Sequence, residues 1–196
     1  VKGAYVLMVF SIVCALWWIG GLAEADGLLK VLAIPAVLAA AGTAGYTAFL
    51  FGQCEGRDLW QTPLLLPMLL AQAAAAGGAT YALMDLFMDV PEPTAIRWVL
   101  LGGVAAIGTL IAVELTAKSS RTVELAVWEM TRGAYAQRFW FGGVGLGVVL
   151  PAALVIVALS ADTGPALPAL AAVSALVGLF AYEDAFVRAG QSVPLS

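Results

Sequence analysis

Six apolar stretches, each long enough to cross a bilayer, constrain this chain more than any other feature of its sequence. They run over residues 1–21, 28–51, 64–87, 96–117, 139–159 and 167–187. A helix needs roughly 20 apolar residues to cross a hydrocarbon core of about 30 Å. Within that core only helices or closed barrels can pair every backbone N–H and C=O. No strand-like alternation or solenoid-length repeat runs through the chain. The predicted fold is therefore all-α: an integral membrane bundle of about six transmembrane helices, forming one domain over residues 1–196. Composition agrees, with 62% of residues hydrophobic and 11% charged, against about 45–50% and about 25% in soluble domains. A soluble fold would lack the polar side chains to cover its surface.

Charges and prolines punctuate the runs. Pro63, Pro91, Pro93, Pro165 and Pro168 mark boundaries, while Pro35, Pro67 and Pro151 lie inside runs and predict kinks. The first run has signal-peptide features, namely Lys2, an apolar stretch and Ala23-Glu24-Ala25, but its length predicts a retained span. Val1 as the first residue is compatible with an alternative start codon, processing or a missing N-terminal portion.

Six spans put both termini on one side. Lys2, Arg57, Lys118, Arg121, Arg132, Arg138 and Arg188 fall there, and only Lys30 and Arg97 fall on the other. This asymmetry predicts cytoplasmic termini. Glu24, Asp26, Asp85, Asp89, Glu92 and Asp162 make the far side acidic. Trp17, Trp18 and Trp98 are expected at the outer interface, and Trp60, Trp128 and Trp140 at the inner one. Residues 119–138 form the longest polar segment. There Val123, Val127 and Met130 recur at helical spacing opposite Arg121, Glu124 and Glu129. The pattern predicts an amphipathic helix on the inner leaflet or a solvated connecting helix.

Absent residue types exclude much chemistry. The chain has no histidine, which removes bis-histidine haem ligation, histidine-based metal sites and imidazole relays. Cys14 and Cys54 match no zinc or iron–sulfur spacing. No metal or haem is expected in this chain. No phosphate-binding glycine loop, nucleophile elbow or basic nucleic-acid patch is present, so no nucleic-acid partner is expected. Gly143-x-x-x-Gly147 permits close helix approach.

Ionisable groups at membrane depth are costly and are functional candidates by default. Glu114 lies one turn inside the inner end of the fourth span with Lys118 at i+4, and reads as a proton-relay carboxylate or a helix-end ion pair. Asp85, with Asp89 one turn beyond, reads as a proton-exchanging acid or a solvated helix end. Glu183 and Asp184, near Arg188, read as an ion-paired terminus. Thr43, Tyr46 and Thr47 on the second span and Gln72 on the third are buried polar candidates. A quinone needs donors for its carbonyl oxygens in an apolar slot. Tyr46, Gln72 and Thr43 qualify, although each equally suits helix-to-helix hydrogen bonding.

Three stretches carry a family resemblance. Gly45-Tyr46-Thr47-Ala48-Phe49-Leu50 is followed by GQCEGRDLWQTPLLLPMLLAQAAAAGG over residues 52–78, centred on Gly56-Arg57-Asp58-Leu59-Trp60 and Pro63. The C-terminal stretch from Tyr182-Glu183 through Phe186-Val187-Arg188-Ala189-Gly190-Gln191 to Ser196 is the third. Together they resemble the NrfD/PsrC family, the membrane subunits of polysulfide reductase-like complexes. The resemblance implies a membrane anchor in a bacterial or archaeal cytoplasmic membrane. It would exchange electrons between menaquinone or ubiquinone and an iron–sulfur subunit serving a molybdenum-type or other catalytic subunit. Some relatives are thought to couple quinone chemistry to proton movement, a role that Glu114 and Asp85 would fit. Family members usually have eight or more spans, so six imply N-terminal helices missing, lost or supplied by another membrane chain. The rival readings are a small transporter or channel using Glu114 and Asp85, and a purely structural anchor.

Overall fold

The computed structural model describes residues 2–116, 120–161 and 163–195. Lys118 and Asp162, which figured in the charge pattern above, lie outside the described residues. Six helices are long and apolar enough to cross a membrane. They are α1 (Lys2–Leu22), α2 (Asp26–Phe51), α3 (Leu65–Met84), α4 (Pro93–Thr116), α6 (Arg138–Ser160) and α7 (Ala166–Ser192). A shorter helix, α5 (Arg121–Thr131), joins α4 to α6, and a single 3-10 turn (Asp58–Gln61) precedes α3. No strand occurs among the described residues.

The helix ends follow local chemistry more closely than hydropathy. α3 stops at Met84, three residues short of its apolar run, and Leu86, Phe87 and Met88 are exposed in the following turn. Pro67 falls in the first turn of α3, where its missing N–H would have no intrahelical partner, so it introduces no defect. α2 continues without a break through Pro35. α7 runs past residue 187 to Ser192.

Close backbone contacts hold the centre together. A methyl on Gly103 would lie 2.6 Å from the Ala75 nitrogen, and one on Gly78 would lie 2.8 Å from the Leu100 nitrogen. α3 and α4 therefore touch main chain to main chain. The Gly143-x-x-x-Gly147 pair does the same against α7, where Gly147 faces Gly178 and Gly143 faces Tyr182. Without a hydrophobic force between helices in lipid, such small-residue seams supply the packing.

The first half of α6, Arg138 to Val149, is wound as a π-helix. In that register residue 151 would donate to the carbonyl of Leu146, but Pro151 has no N–H. Ser174 on α7 donates its hydroxyl to that same oxygen at 2.7 Å. A neighbouring helix thus satisfies the carbonyl that the proline leaves free.

Cross-chain contacts define two ends of the bundle. At one end Gly3 meets Tyr46, and Arg57 meets the carboxyl end of α7. Ser120 and Thr122 donate to the Asp58 carboxylate at this end. This is the terminal end, since the start of α1 and the end of α7 lie here. At the far end Arg97 donates to Ala158 O at 2.9 Å, completing the last turn of α6. The sequence motif around Arg57 serves this architecture. Gly56 adopts φ +82°, which glycine alone takes without strain. One guanidinium nitrogen of Arg57 reaches Gly190 O at 2.8 Å, Gln191 O at 3.1 Å and Val193 O at 2.8 Å, capping α7. The second and third of the stretches that carry the family resemblance therefore pack against each other.

Trp60 departs from the expected interfacial position. It is buried, edge-on to Phe51 at 5.2 Å, in a slot kept open by the absent side chain of Gly190. The other five tryptophans are exposed on the outer surface of the bundle. α5 is amphipathic, capped by Ser120, with Ala126 and Met130 buried and Arg121, Glu124, Leu125 and Trp128 outward.

Candidate functional site

Polar side chains inside an apolar bundle must find partners within it. Side chain meets side chain in this way where α3, α4 and α7 converge in the terminal half. Gln72, buried on α3, donates its amide N–H to Glu183 Oε1 on α7 at 2.6 Å. Tyr182, the residue before Glu183, donates its hydroxyl to Glu114 Oε2 on α4 at 3.2 Å. Two carboxylates and two neutral partners therefore form a polar cluster within the membrane-spanning bundle.

Helical geometry sets who meets whom. Glu183 and Asp184 are neighbours, so their side chains diverge by about 100° around the axis. Asp184 turns outward and forms ion pairs with Arg138 and with Arg188 one turn on. Glu183 is thereby directed inward. The expectation of an ion-paired terminus holds for Asp184 and fails for Glu183, whose side chain points into the α3 seam instead. Tyr182 is locked by aromatic neighbours, stacked on Phe186 at 6.0 Å and tilted against Phe139 at 6.2 Å. Gly143, where an added methyl would lie 3.1 Å from Tyr182 Cβ, leaves room for this layer.

Neither Glu114 nor Glu183 has a cationic partner among the described residues. Both partners are chemically two-faced. A tyrosine hydroxyl donates to a carboxylate and accepts from a carboxylic acid, and a glutamine amide offers both N–H and C=O. The arrangement can therefore accommodate either protonation state of each acid. A crevice too narrow for a water molecule, lined by Thr62, Leu65 and Met68, runs from the connection before α3 to Glu114 and Tyr182.

The other sequence candidates lie elsewhere. Asp85 caps the far end of α3, half-buried beside Arg97 in a second tight crevice. It stands some 30 Å along α4 from Glu114, by about 1.5 Å per residue. Tyr46 packs its ring against Gly3 on α1, while the next residue back, Gly45, faces Leu66 of α3. Thr43 is half-buried, and its hydroxyl is buried without a hydrogen-bond partner. No hydrogen bond among the described residues joins Tyr46 or Thr43 to the Gln72 cluster. Sequence reasoning missed Tyr182 and Glu183 as site residues. The Glu183-Asp184 doublet was visible, but the 100° between adjacent residues does not by itself say which acid faces inward. No group of three or more His, Cys, Asp or Glu side chains that could hold a metal ion exists among the described residues.

A polytopic all-helical membrane protein with a carboxylate cluster inside its terminal half is the class that fold and site define. The model of the polysulphide reductase NrfD family matches residues 3–194, and the chain belongs to that family. It is 27% identical over 138 residues to the C subunit of polysulfide reductase from Wolinella succinogenes, an alignment covering 66% of this chain and 44% of the relative. The alignment thus spans less than half the length of that relative. No solved structure matches it significantly.

Proposed function

We propose that this chain is the membrane subunit of a quinone-linked redox complex, in which the Gln72–Glu183 and Tyr182–Glu114 pairs handle the protons of quinone turnover. Electrons would pass to or from an iron–sulfur partner that serves a catalytic redox subunit. The observation that carries the reading is the pairing of two bundle-enclosed carboxylates with neutral, amphoteric partners and, among the described residues, with no cation. An ion-paired acid holds its charge for structure, whereas an acid paired to tyrosine or glutamine can change protonation without losing its hydrogen bond.

The α2 side supplies the fit for a quinone. Thr43 and Tyr46 are one helical turn apart, and the Thr43 hydroxyl is a buried polar group with no partner, which is uncommon and asks for an explanation. A quinone carbonyl is an acceptor of the right chemistry for it. Tyr46 lies about 8 Å from the end of α2 and Gln72 about 10 Å from the start of α3, so both are at similar depth. A bound quinol supplies two electrons and two protons. Glu183 and Glu114 would take the protons and exchange them toward the terminal end. Asp85 is the proposed proton-exchanging group at the far end, and the terminal end is proposed to be cytoplasmic from its excess of arginine and lysine.

The test is electron transfer from a soluble quinol to the iron–sulfur partner in the purified complex, with proton uptake followed by a pH indicator. Glu183→Gln and Gln72→Leu are expected to slow turnover while the complex stays assembled. A purely structural anchor predicts unchanged turnover in both, and that result would overturn the reading.

A further inference from the structure

The geometry points to a phospholipid site at the terminal-end interface, between α5 and the adjoining ends of α4 and α6, selective for a headgroup that carries both a phosphate and a primary amine. The hollow there encloses about 390 Å³, within the usual range for small-ligand sites. Leu115 and Val127 form its apolar wall, and Trp128 and Trp140 flank it. Glu124 and Arg132 supply its charges.

Three features make this more than a dent in the surface. The walls are fixed, because Trp140 donates its indole N–H to Thr131 O at 2.9 Å, tying the start of α6 to the end of α5. Tryptophan favours the headgroup level of a bilayer, where its ring meets acyl carbon and its N–H meets water. The charges are of opposite sign and are held apart. Glu124 and Arg132 are two turns apart on α5, about 12 Å along the axis, and no ion pair links them among the described residues. Arg138 and Arg188 are paired with Asp184, and Arg57 is taken up by the α7 carbonyls. A guanidinium matches a phosphate in geometry, and a carboxylate matches a primary ammonium. Phosphatidylethanolamine meets both. Phosphatidylglycerol lacks the ammonium, and phosphatidylcholine cannot donate a hydrogen bond from its methylated nitrogen.

This inference is independent of the quinone reading, because its residues face lipid on α5 and share no side chain with the carboxylate cluster. Native mass spectrometry of the detergent-purified complex, titrated separately with phosphatidylethanolamine, phosphatidylglycerol and phosphatidylcholine, tests it. Phosphatidylethanolamine is expected to be retained in preference to the other two. Arg132→Ala and Glu124→Gln are each expected to weaken that retention about fivefold, the value of one interfacial charge contact. Arg132→Lys, which keeps the charge, should retain most of the binding and controls for folding. Equal binding of phosphatidylglycerol, unaffected by Glu124→Gln, would leave a phosphate site only and overturn the amine assignment. Equal retention of all three lipids in every variant would mean ordinary boundary lipid and would overturn the site altogether.

Discussion

The α1–α2 hairpin and the bundle of α3, α4, α6 and α7 are built from equally apolar helices, yet they pack by different rules. Only 11% of the spanning window of α1 and 6% of that of α2 is buried within the protein, against 28–44% in the other four. Val31, Ile34, Val37 and Leu38 on α2 face outward almost completely. In water this would be an aggregation surface; in lipid it costs nothing. The bundle instead buries glycine, alanine and serine, bringing backbones into contact and giving polar side chains a place out of lipid. Hydropathy says that a helix spans. Which helices form the interior shows only in where glycines meet a neighbouring backbone, since α2 is as rich in small residues as α4 yet stays outside. Among the described residues, the carboxylates paired with neutral partners lie within that interior.

The comparison can be broken most directly at its glycines. A methyl on Gly178 would lie 2.0 Å from the Gly147 Cα, a backbone atom that no rotamer change can move aside. Gly178→Leu is expected to destabilise the bundle by about 3 kcal/mol or more, enough to lose the folded protein. Gly21 on the hairpin has nothing within 4 Å of such a methyl, and Gly21→Leu should leave thermal unfolding in detergent unchanged. Equal damage from both would show that the hairpin packs as tightly as the bundle.

The second contrast is functional. Glu183→Gln removes a proton-exchanging group from the bundle and is expected to lower quinol-linked turnover on the order of a hundredfold, the range for a general acid–base group. Tyr46→Phe on the hairpin removes one hydrogen bond from the proposed quinone contact. It is expected to raise the KM for quinol about tenfold with kcat little changed. If Tyr46→Phe lowers kcat instead while Glu183→Gln alters only KM, the two regions have been assigned each other's roles.

The spans and the all-helical class were legible because bilayer thickness imposes a length that hydropathy reads directly. Side-chain roles were less so. Arg57 entered the topological count and the family-like stretch at residues 56–60, but its partners lie 133–136 residues away, and no local pattern announces a cap that distant. Trp60 looked interfacial until Gly190 supplied a slot for its ring. Glu183 and Asp184 looked equivalent because adjacent residues share one local sequence; only the positions of α3 and α6 separate them. Gln72 and Glu114 were readable as buried polar outliers, whereas their pairing through α7 was not, since nothing in the sequence fixes how α7 is rotated.

Arg57 offers a prediction of intermediate size. Arg57→Ala leaves three carbonyls at the end of α7 without a donor, at an expected cost of about 2 kcal/mol. Hydrogen exchange should rise over residues 186–195 and stay unchanged in α1. Arg57→Lys should recover part of the protection, because an ammonium has three N–H groups but lacks the planar reach of guanidinium.

The smallest effect expected is at Ser174. Its hydroxyl satisfies the Leu146 carbonyl left free by Pro151, and helix-to-helix hydrogen bonds of this kind contribute about 0.6 kcal/mol in membranes, occasionally up to about 1.7. Ser174→Ala should therefore lower stability by about 1 kcal/mol. The informative variant is the double one: Pro151→Ala restores an N–H that can serve the same carbonyl, so Ser174→Ala should cost less in that background. If the two substitutions are additive, the serine is not compensating for the proline, and the wide winding of α6 needs another cause, such as the close approach of Gly147 to Gly178.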